Sequence, residues 1–471
     1  MISQNDLIKI KEFLWEIPRG LRKDMRVPAR FYSNEKMLAE VFKDESLQQL
    51  VNLTAMPGIK KYSLAMPDIH EGYGSPIGGV FAVDDEEGVI SPGAVGYDIN
   101  CGVRLLLSPF SHEEIKKEIS GLAEKIYRKV PSGLGRGQEK KISAADLDNI
   151  LQNGAKAFLR QGYATSEDIE NCEENGGLAL AEADNVSSTA KARGGNQLGT
   201  LGSGNHFLEI QKVEEIFDEK AARAFGLFPE QVVIMIHTGS RGLGHQVATD
   251  YIRLMMKAMP KYNLHLPDKE LASAPIVSDE GKMYFGAMAA AANFAWANRQ
   301  MISFLIREAW GESIGKGELK LLYDVAHNIA KQEGGLIVHR KGATRAFAPG
   351  SEDIPEKYRS VGQPVLIPGS MGTSSYVLAG TKEAEESFYS TCHGAGRRMS
   401  RHQATRTLSG QRVAEELGEK GIIIKTRSLR GVSEEAPEAY KDVDEVVGVV
   451  DSAGLSKKVA RLLPLAVIKG E

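Results

Sequence analysis

The sequence predicts an α+β fold in a single integrated domain that spans residues 1–471. Apolar runs typical of strands and segments of helical periodicity follow one another irregularly, without the regular alternation of a doubly wound sheet. The sequence contains no internal repeat, low-complexity tract or Pro/Ser-rich linker that would divide it. We therefore expect mixed or antiparallel sheets with peripheral helices.

Several helices and strands can be predicted from local patterns. Ser111 with Glu114 has the pattern of a capping box, and apolar residues at helical spacing follow as far as Pro131. Helices are also expected over 244–259 and 279–310, because a Pro or Gly follows each apolar pattern. Short apolar runs predict strands at 78–83, 103–107, 232–236, 335–338, 421–424 and 446–450.

Composition and charge exclude several classes of protein. The chain has 58 basic and 62 acidic residues, a net charge of −4, which excludes a polycation or an acidic tail protein. Three cysteines are too few for a disulfide scaffold. The N-terminus lacks an apolar signal core, and Asn293, Asn298 and Arg299 interrupt the most apolar helical pattern. A reducing cytoplasm is the expected location.

Five segments place a metal-binding or nucleophilic side chain in a turn beside an apolar run. Loops anchored on rigid strands are where proteins usually place binding groups. The segments are 93–107, 198–210, 232–244, 321–330 and 390–401. Their metal-capable side chains are Asp98, Cys101, His206, His237, His327 and His393.

This combination of one thiol, one carboxylate and four imidazoles suits divalent metal ions. A lone cysteine in a reducing cell is more often a small core residue, which is our interpretation of Cys172 and Cys392. Cys101 differs because Asp98 lies three residues before it in a Gly-bracketed turn. The residues leave two metal hypotheses open: one Zn²⁺ held by the cysteine and three histidines, or two ions that share a thiolate.

His393 begins a Gly- and Arg-rich segment that can bind phosphate. Gly394 and Gly396 free the backbone N–H groups for an anion, and Arg397 and Arg401 follow. A histidine there can be a ligand, a general acid or a nucleophile that attacks phosphorus. The alternative is the basic start of a surface helix. Further candidate phosphate-binding segments are 193–199, 237–244, 339–345 and 367–376, and none is a Walker A motif.

Together these segments resemble the RtcB family of RNA ligases, the GTP- and manganese-dependent enzymes that join tRNA halves. Eight collinear markers carry the resemblance through most of the chain. They are MPDIHEGYGSPIGG (66–79), GYDINCGV (96–103), GSGNHFLE (202–209), HTGSRGLG (237–244), DVAHN (324–328), HRKGATRAF (339–347), PGSMGT (368–373) and CHGAGR (392–397). The resemblance implies one RtcB-type catalytic domain, not a conventional nucleotidyltransferase.

The resemblance also implies roles for individual residues. Two Mn²⁺ ions would share Cys101, with His237 and His327 at the first ion and Asp98 and His206 at the second. The nucleotide would be bound by Asn205, His206, Phe207, Leu208, Glu209, His327, Asn328, Ile367, Pro368, Gly369, Ser370, Ser374, His393, Gly394, Ala395, Gly396, Tyr440 and Lys469. On chemical grounds, candidates for binding RNA phosphates are Arg193, Arg241, Arg397 and Arg401.

The implied reaction begins when His393 attacks the α-phosphorus of GTP and becomes linked to GMP. Glu209 would accept guanine N–H groups and so disfavour adenine. A 2′,3′-cyclic phosphate would open to a 3′-phosphate, which takes the GMP and is then joined to a 5′-hydroxyl. The substrates would be cleaved tRNA halves or broken RNA ends. The resemblance leaves open whether an archease-type activator takes part.

Two other classes of function remain open from the residues alone. One is a metallohydrolase of phosphate esters, with His393 as general acid. The other is a non-catalytic RNA-binding or structural metal protein, in which Cys101 would be needed for folding.

Overall fold

A computed structural model describes residues 2–133, 137–138 and 142–470. Within them the strands are β1 (Ile8–Lys11), β2 (Leu14–Ile17), β3 (Ala29–Tyr32), β4 (Ser63–His70), β5 (Ile77–Asp84), β6 (Val89–Ile90), β7 (Gly102–Ser111), β8 (Phe207–Ile216), β9 (Gln231–Thr238), β10 (Ala274–Pro275), β11 (Lys320–Ala326), β12 (Asn328–Glu333), β13 (Leu336–Lys341), β14 (Ala343–Arg345), β15 (Pro364–Ile367), β16 (Ser375–Gly380), β17 (Ser390–Cys392), β18 (Ile423–Lys425) and β19 (Ser456–Lys469).

The α-helices of the same residues range from single turns to one helix of 35 residues. They are α1 (Glu35–Val41), α2 (Ser46–Leu53), α3 (Pro92–Val95), α4 (His112–Ile115), α5 (Ile119–Lys129), α6 (Ala144–Asn153), α7 (Ser166–Glu170), α8 (Ser188–Gly194), α9 (Glu219–Phe225), α10 (Arg241–Ala258), α11 (Asp279–Ser313), α12 (Arg401–Thr407), α13 (Gly410–Glu419), α14 (Leu429–Glu434) and α15 (Val443–Ser452).

Two large sheets organise the fold. The first has the strand order β1-β2-β3-β4-β5-β13-β12, and the second β11-β7-β9-β8-β19-β16-β15, with β18 beside β19. Their pairings are antiparallel, except that β3 with β4 and β18 with β19 run parallel. The expected α+β class with mixed or antiparallel sheets is therefore confirmed.

Four neighbouring strands of the second sheet bring the predicted metal-binding segments together at one end of the strands. In the ladders, Gly102 of β7 lies opposite Thr238 of β9 and Ala326 of β11. Phe207 of β8 lies opposite His237 of β9. In an antiparallel pair, the first residues of one strand lie beside the last residues of its neighbour. The starts of β7 and β8 therefore lie beside the ends of β9 and β11. Residues distant in sequence thus come together.

Helix α11 packs its many alanines in the core and carries buried polar side chains towards these strand ends. Asn298 donates to the carbonyls of Thr200 and Gly239 at 3.1 and 3.2 Å. Asn293 and Arg299 are also fully buried. The polar residues that interrupt the apolar pattern are therefore ties between the helix and the loops. No helix of the described residues has the length and apolarity needed to cross a bilayer.

A buried ionic cluster joins α11 to the second sheet. Asp324 of β11 accepts from Arg104 Nε at 2.7 Å and from the Nε and Nη2 atoms of Arg299 at 2.9 and 2.8 Å. All three side chains are fully buried. One carboxylate thus bridges two guanidinium groups on two different elements.

The strand predicted at 446–450 is wrong, because these residues lie in helix α15. Asp442 caps the helix by accepting from the Asp444 backbone N–H, and valines on several sides of the helix are buried. A short apolar run cannot distinguish a fully buried helix from a buried strand. Here the cap and the surrounding core decide in favour of the helix.

The remaining local predictions differ mainly at their boundaries. The segment after the Ser111 capping box forms two helices, α4 and α5, separated by a turn, instead of one. The strand expected at 421–424 starts two residues later, as β18. The strands expected at 78–83, 103–107 and 232–236 lie within β5, β7 and β9, and 335–338 overlaps β13. Cys172 and Cys392 are buried free cysteines, as expected.

Replacing Asp324 by Ala should strongly destabilise the protein. The substitution leaves Arg104 and Arg299 buried without their carboxylate, and breaking a buried pair in this way costs about 3–5 kcal/mol. Urea unfolding followed by circular dichroism measures the change. As a control, Glu416→Ala removes an exposed pair with Arg412 and should change stability by no more than about 0.5 kcal/mol. Equal unfolding midpoints for the two variants would contradict this account of the cluster.

Candidate active site

Two groups of potential metal ligands share Cys101. Cys101, His237 and His327 form the first group, and Asp98, Cys101 and His206 the second, with ligand atoms within 4.8 Å of one another in each. The Cys101 Sγ atom lies 3.3 Å from His206 Nε2 and 3.4 Å from His237 Nε2. His206 Nε2 is 2.8 Å from Asp98 Oδ2. All five predicted ligands therefore converge.

The loops at these strand ends are packed so closely that a residue larger than glycine does not fit at position 239. A side chain at position 239 would collide with the Asp98 carboxylate, so only glycine fits there. The next backbone N–H, that of Ser240, donates to Asp98 Oδ1 at 3.0 Å. Asn328 donates to the Asp98 carbonyl at 3.1 Å and accepts from Gly342 N–H at 2.8 Å. The carboxylate is thus fixed before any ion binds.

The charge states of the ligands suit a cation. Burial lowers the pKa of both His237 and His327 well below the usual value, so both rings are neutral and offer nitrogen lone pairs. Burial would raise the pKa of Asp98, but its interactions with His206, Cys101 and His237 together outweigh burial, and the pKa falls to about 2. Neutral imidazoles beside a carboxylate and a thiol are a donor set for divalent ions such as Mn²⁺ or Zn²⁺. Two overlapping groups favour two ions over a single tetrahedral Zn²⁺.

His393 lies beside this cluster, with its ring centroid 5.0 Å from that of His327. Its Nδ1 atom is 2.6 Å from Oδ2 of Asp68, and its backbone N–H donates to the same oxygen at 3.0 Å. Burial would raise the pKa of Asp68, but the His393 ring outweighs burial and holds the pKa below the usual value. The ionised carboxylate accepts Nδ1–H, which leaves the lone pair of a neutral ring on Nε2.

Asp68 is the principal site residue that sequence reasoning missed. It lies two residues before the end of the buried strand β4 and is fully buried. At position 396 a side chain would collide with the Asp68 backbone, and Gly396 also has a positive φ of 75°. The Gly-rich segment after His393 therefore wraps around Asp68. The signal in the sequence is the position of this carboxylate within the segment 66–79, which carries part of the family resemblance.

A cavity of about 380 Å³ lies between His393 and the metal-ligand cluster. Many of the residues implied for nucleotide binding line it: Asn205, Phe207, His327, Asn328, Pro368, Gly369, Ser370, His393, Gly394, Ala395, Gly396, Tyr440 and Lys469. His206, Leu208, Glu209, Ile367 and Ser374 are not among its lining residues. The side chains of Leu208 and Ile367 pack in the core, so only their backbone atoms could contact a nucleotide.

Glu209 is an acid buried without a strong counter-charge. Alternation along β8 puts it on the face of Phe207, and only 1% of the residue is exposed. One carboxyl oxygen accepts from Gln211 at 2.7 Å, and the other has no hydrogen-bond partner among the described residues. Burial raises the pKa of Glu209 to about 8. Lys469, which donates to the Gly204 carbonyl at 2.7 Å, only partly opposes this effect.

The four arginines predicted to bind RNA phosphates occupy different environments. Arg397 and Arg401 line the cavity, where Arg397 donates to Glu435 at 2.9 Å and to the Tyr440 hydroxyl at 3.0 Å. Arg241, at the start of α10, is largely buried, which lowers its pKa to about 10. Arg193 is exposed on α8.

The segment 339–345 is not the phosphate-binding patch that its sequence suggests. Arg340 is bonded to Glu333 at 2.6 and 2.7 Å, and Arg345 to Glu174 at 2.6 Å. Lys341 alone reaches the cavity, but its ammonium donates to the carbonyls of Tyr73, Ser75 and Gly93, and burial lowers its pKa to about 7. Successive residues of β13 point to opposite faces, so Arg340 and Lys341 reach different partners inside the protein, and Arg345 reaches its partner from β14.

The fold and the site define an α+β protein in which a buried cluster of metal-capable ligands adjoins a histidine at a nucleotide-sized cavity. A family model described as tRNA-splicing ligase RtcB matches residues 49–470. A tRNA-splicing ligase RtcB of Thermococcus kodakarensis is 52% identical, with 98% of this chain and 99% of the relative covered.

Further relatives give the same result. The tRNA-splicing ligase RtcB of Archaeoglobus fulgidus is 51% identical over the full length of both chains. The RNA-splicing ligase RtcB of Mycobacterium tuberculosis is 47% identical, with 90% of this chain and 100% of the relative covered. The chain therefore belongs to the RtcB family, and the resemblance recognised from its eight sequence markers is confirmed.

Replacing Glu209 by Gln should stabilise the protein at high pH. Between pH 4.5 and about 8 the folded state keeps a proton on Glu209 that the unfolded state has lost. Wild-type stability therefore falls as pH rises through this window, by about 1.4 kcal/mol per pH unit from this group. The neutral Gln removes that slope.

Unfolding midpoints of wild type and Glu209→Gln in urea at pH 5 and pH 8 measure the effect. We expect near-equal stability at pH 5 and a clear advantage for the variant at pH 8. A variant that is equally destabilised at both values would show that the carboxyl group stabilises the fold.

Proposed function

We propose that this protein is an RNA ligase that joins RNA 2′,3′-cyclic phosphate or 3′-phosphate ends to 5′-hydroxyl ends, using GTP and Mn²⁺. The relatives named tRNA-splicing ligase and RNA-splicing ligase support the ligase class. The observation that carries the chemistry is the placement of His393, between the buried Asp68 and the ligand cluster around Cys101. Splicing of tRNA halves and repair of broken RNA require the same ends.

In the first step, the Nε2 lone pair of His393 attacks the α-phosphorus of GTP. The bond between the α-phosphorus and the oxygen that bridges to the β-phosphate breaks, and pyrophosphate leaves with its electron pair. Asp68 keeps the proton on Nδ1 and stabilises the positive charge that the ring acquires. Divalent ions held by Cys101, Asp98 and the three cluster histidines would neutralise phosphate charge.

Guanine selection falls to Glu209 in this proposal. Guanine presents N–H donors at N1 and N2, whereas adenine presents an acceptor at N1, so a carboxylate favours guanine. Glu209 is buried behind the residues that line the cavity, and its unpartnered oxygen is the acceptor that we propose for such a donor. Because burial raises the pKa of Glu209 to about 8, guanine binding would displace its proton. Stability is thus sacrificed for specificity at this position.

In the later steps, the RNA 3′-phosphate first accepts GMP and is then joined to a 5′-hydroxyl. Water opens the cyclic phosphate to a 3′-phosphate, whose oxygen displaces His393 from the phosphorus of GMP. The 5′-hydroxyl of the second RNA attacks the phosphorus of the activated end, and GMP leaves. Arg401, which lines the cavity and is about half exposed, and the exposed Arg193 of α8 are the cations proposed to hold RNA phosphates.

The metallohydrolase alternative assigns His393 the role of general acid. The hydrogen bond to Asp68 supports the nucleophile instead, because it places the proton on Nδ1 and leaves the other nitrogen of the neutral ring as an electron-pair donor. A hydrolase would release phosphate without GTP, which separates the two hypotheses experimentally.

Incubation with GTP labelled at the α-phosphate tests the covalent step. After Mn²⁺ addition and denaturation, wild type should retain label that is lost in acid and stable in base, as expected for a phosphoramidate. His393→Gln should retain none, whereas His265→Ala, a substitution at an exposed histidine, should match wild type. Label that persists in His393→Gln would place the nucleophile elsewhere.

Replacing Asp68 by Asn should slow guanylylation while leaving GTP binding intact. The amide can present its NH₂ group to Nδ1, which favours the tautomer that carries the proton on Nε2. We expect a rate reduction of about 10²- to 10⁴-fold. Single-turnover labelling measures the rate, and equilibrium binding of a fluorescent GTP analogue provides the control. A rate within twofold of wild type would remove Asp68 from the mechanism.

A further inference from the structure

We propose that the rings of Tyr73, Tyr97 and His245 form a stacking surface for a base of the substrate RNA, close to its reacting end. The inference rests on the proposed RNA ligase function and adds a binding site to it. Aromatic side chains that receive unstacked bases are the usual means of holding single-stranded RNA, because every base has a π-face.

The three rings form a continuous series. The Tyr97 and His245 rings are stacked, with centroids 4.7 Å apart and an interplanar angle of 24°. Tyr73 meets Tyr97 edge to face, with centroids 5.2 Å apart. Tyr73 and Tyr97 line the cavity, and Tyr97 directly precedes the ligand Asp98. The series therefore leads from the reaction cavity to the exposed His245 on helix α10.

The loop that carries Tyr73 is held in place by buried polar groups. The ammonium of Lys341 donates to the carbonyls of Tyr73 and Ser75. The Gly74 N–H donates to a carboxylate oxygen of Glu270 at 2.8 Å. This also explains what Lys341 does at the cavity: it fixes the backbone beside an aromatic ring. A ring surface that is rigid before RNA arrives loses little conformational entropy on binding.

A basic side chain lies beside the exposed end of the series. Gly242 of α10 faces helix α8, where a Cβ atom at position 242 would be 3.5 Å from the Cβ of Arg193. His245 follows Gly242 by three residues, about one helical turn, and Arg193 is also exposed. An aromatic surface next to an exposed guanidinium can bind a base and its phosphate together. His245 stacks on Tyr97 but stays exposed, so its ring is also accessible to RNA.

His245→Ala and His245→Phe test the stacking surface, with His265→Ala as a matched control at another exposed histidine. Each variant is assayed in two reactions: self-guanylylation with GTP and Mn²⁺ alone, and ligation of short RNAs with 3′-phosphate and 5′-hydroxyl ends. We expect His245→Ala to guanylylate like wild type but to raise the KM for RNA by about 5- to 100-fold. His245→Phe, which keeps the ring and removes the imidazole nitrogens, should stay within about threefold of wild type.

RNAs that lack a base at one of the last two nucleotides of either strand identify the stacked position. At that position, loss of the base should weaken wild type as much as His245→Ala does, and should cost the variant nothing more. An unchanged KM in His245→Ala, or equal losses in His245→Ala and His245→Phe, would overturn the stacking proposal. Absence of guanylylation in wild type would instead overturn the proposed function, so the two failures are distinguishable.

Discussion

The Arg299 guanidinium joins the loops on which the site depends. Its Nη1 atom donates to the carbonyls of Asn100 and Thr238, both at 2.9 Å, and these residues adjoin Cys101 and His237. Asp324 neutralises the charge from the other side. The tie comes from the middle of a long buried helix, so the positions of two metal-ligand loops are set by the core. Ligands that are far apart in sequence can therefore be held before an ion binds.

Two buried carboxyl groups near the cavity show how environment separates their roles. Asp68 faces His393 and keeps a lowered pKa, which suits a group that orients the ring and balances its charge. Glu209 lacks such a partner, and burial raises its pKa to about 8. Each carboxyl group has one oxygen without a hydrogen-bond partner among the described residues, but the other oxygen of Asp68 contacts the His393 ring, whereas that of Glu209 contacts only the neutral amide of Gln211. Such a difference is typical of sites that separate catalytic from specificity groups.

The α+β class and the five candidate metal ligands could be predicted from the sequence because glycine-rich turns beside apolar runs are local signals. Sequence reasoning missed Asp68, because its importance comes from contact with a residue 325 positions away. It mistook 446–450 for a strand, since a run of valines does not reveal whether its surroundings favour a helix. Basic residues at 339–345 suggested phosphate binding, but most of them are neutralised by acids inside the fold. These predictions were wrong or incomplete because a short motif does not show which distant residues contact it in the fold.

Anomalous diffraction at the manganese edge, from crystals grown with Mn²⁺ and a non-hydrolysable GTP analogue, tests the central claim most directly. We expect two peaks that share Cys101 as a ligand, one beside His237 and His327 and the other beside Asp98 and His206. A single peak held by the cysteine and three histidines, or peaks remote from Cys101, would contradict it.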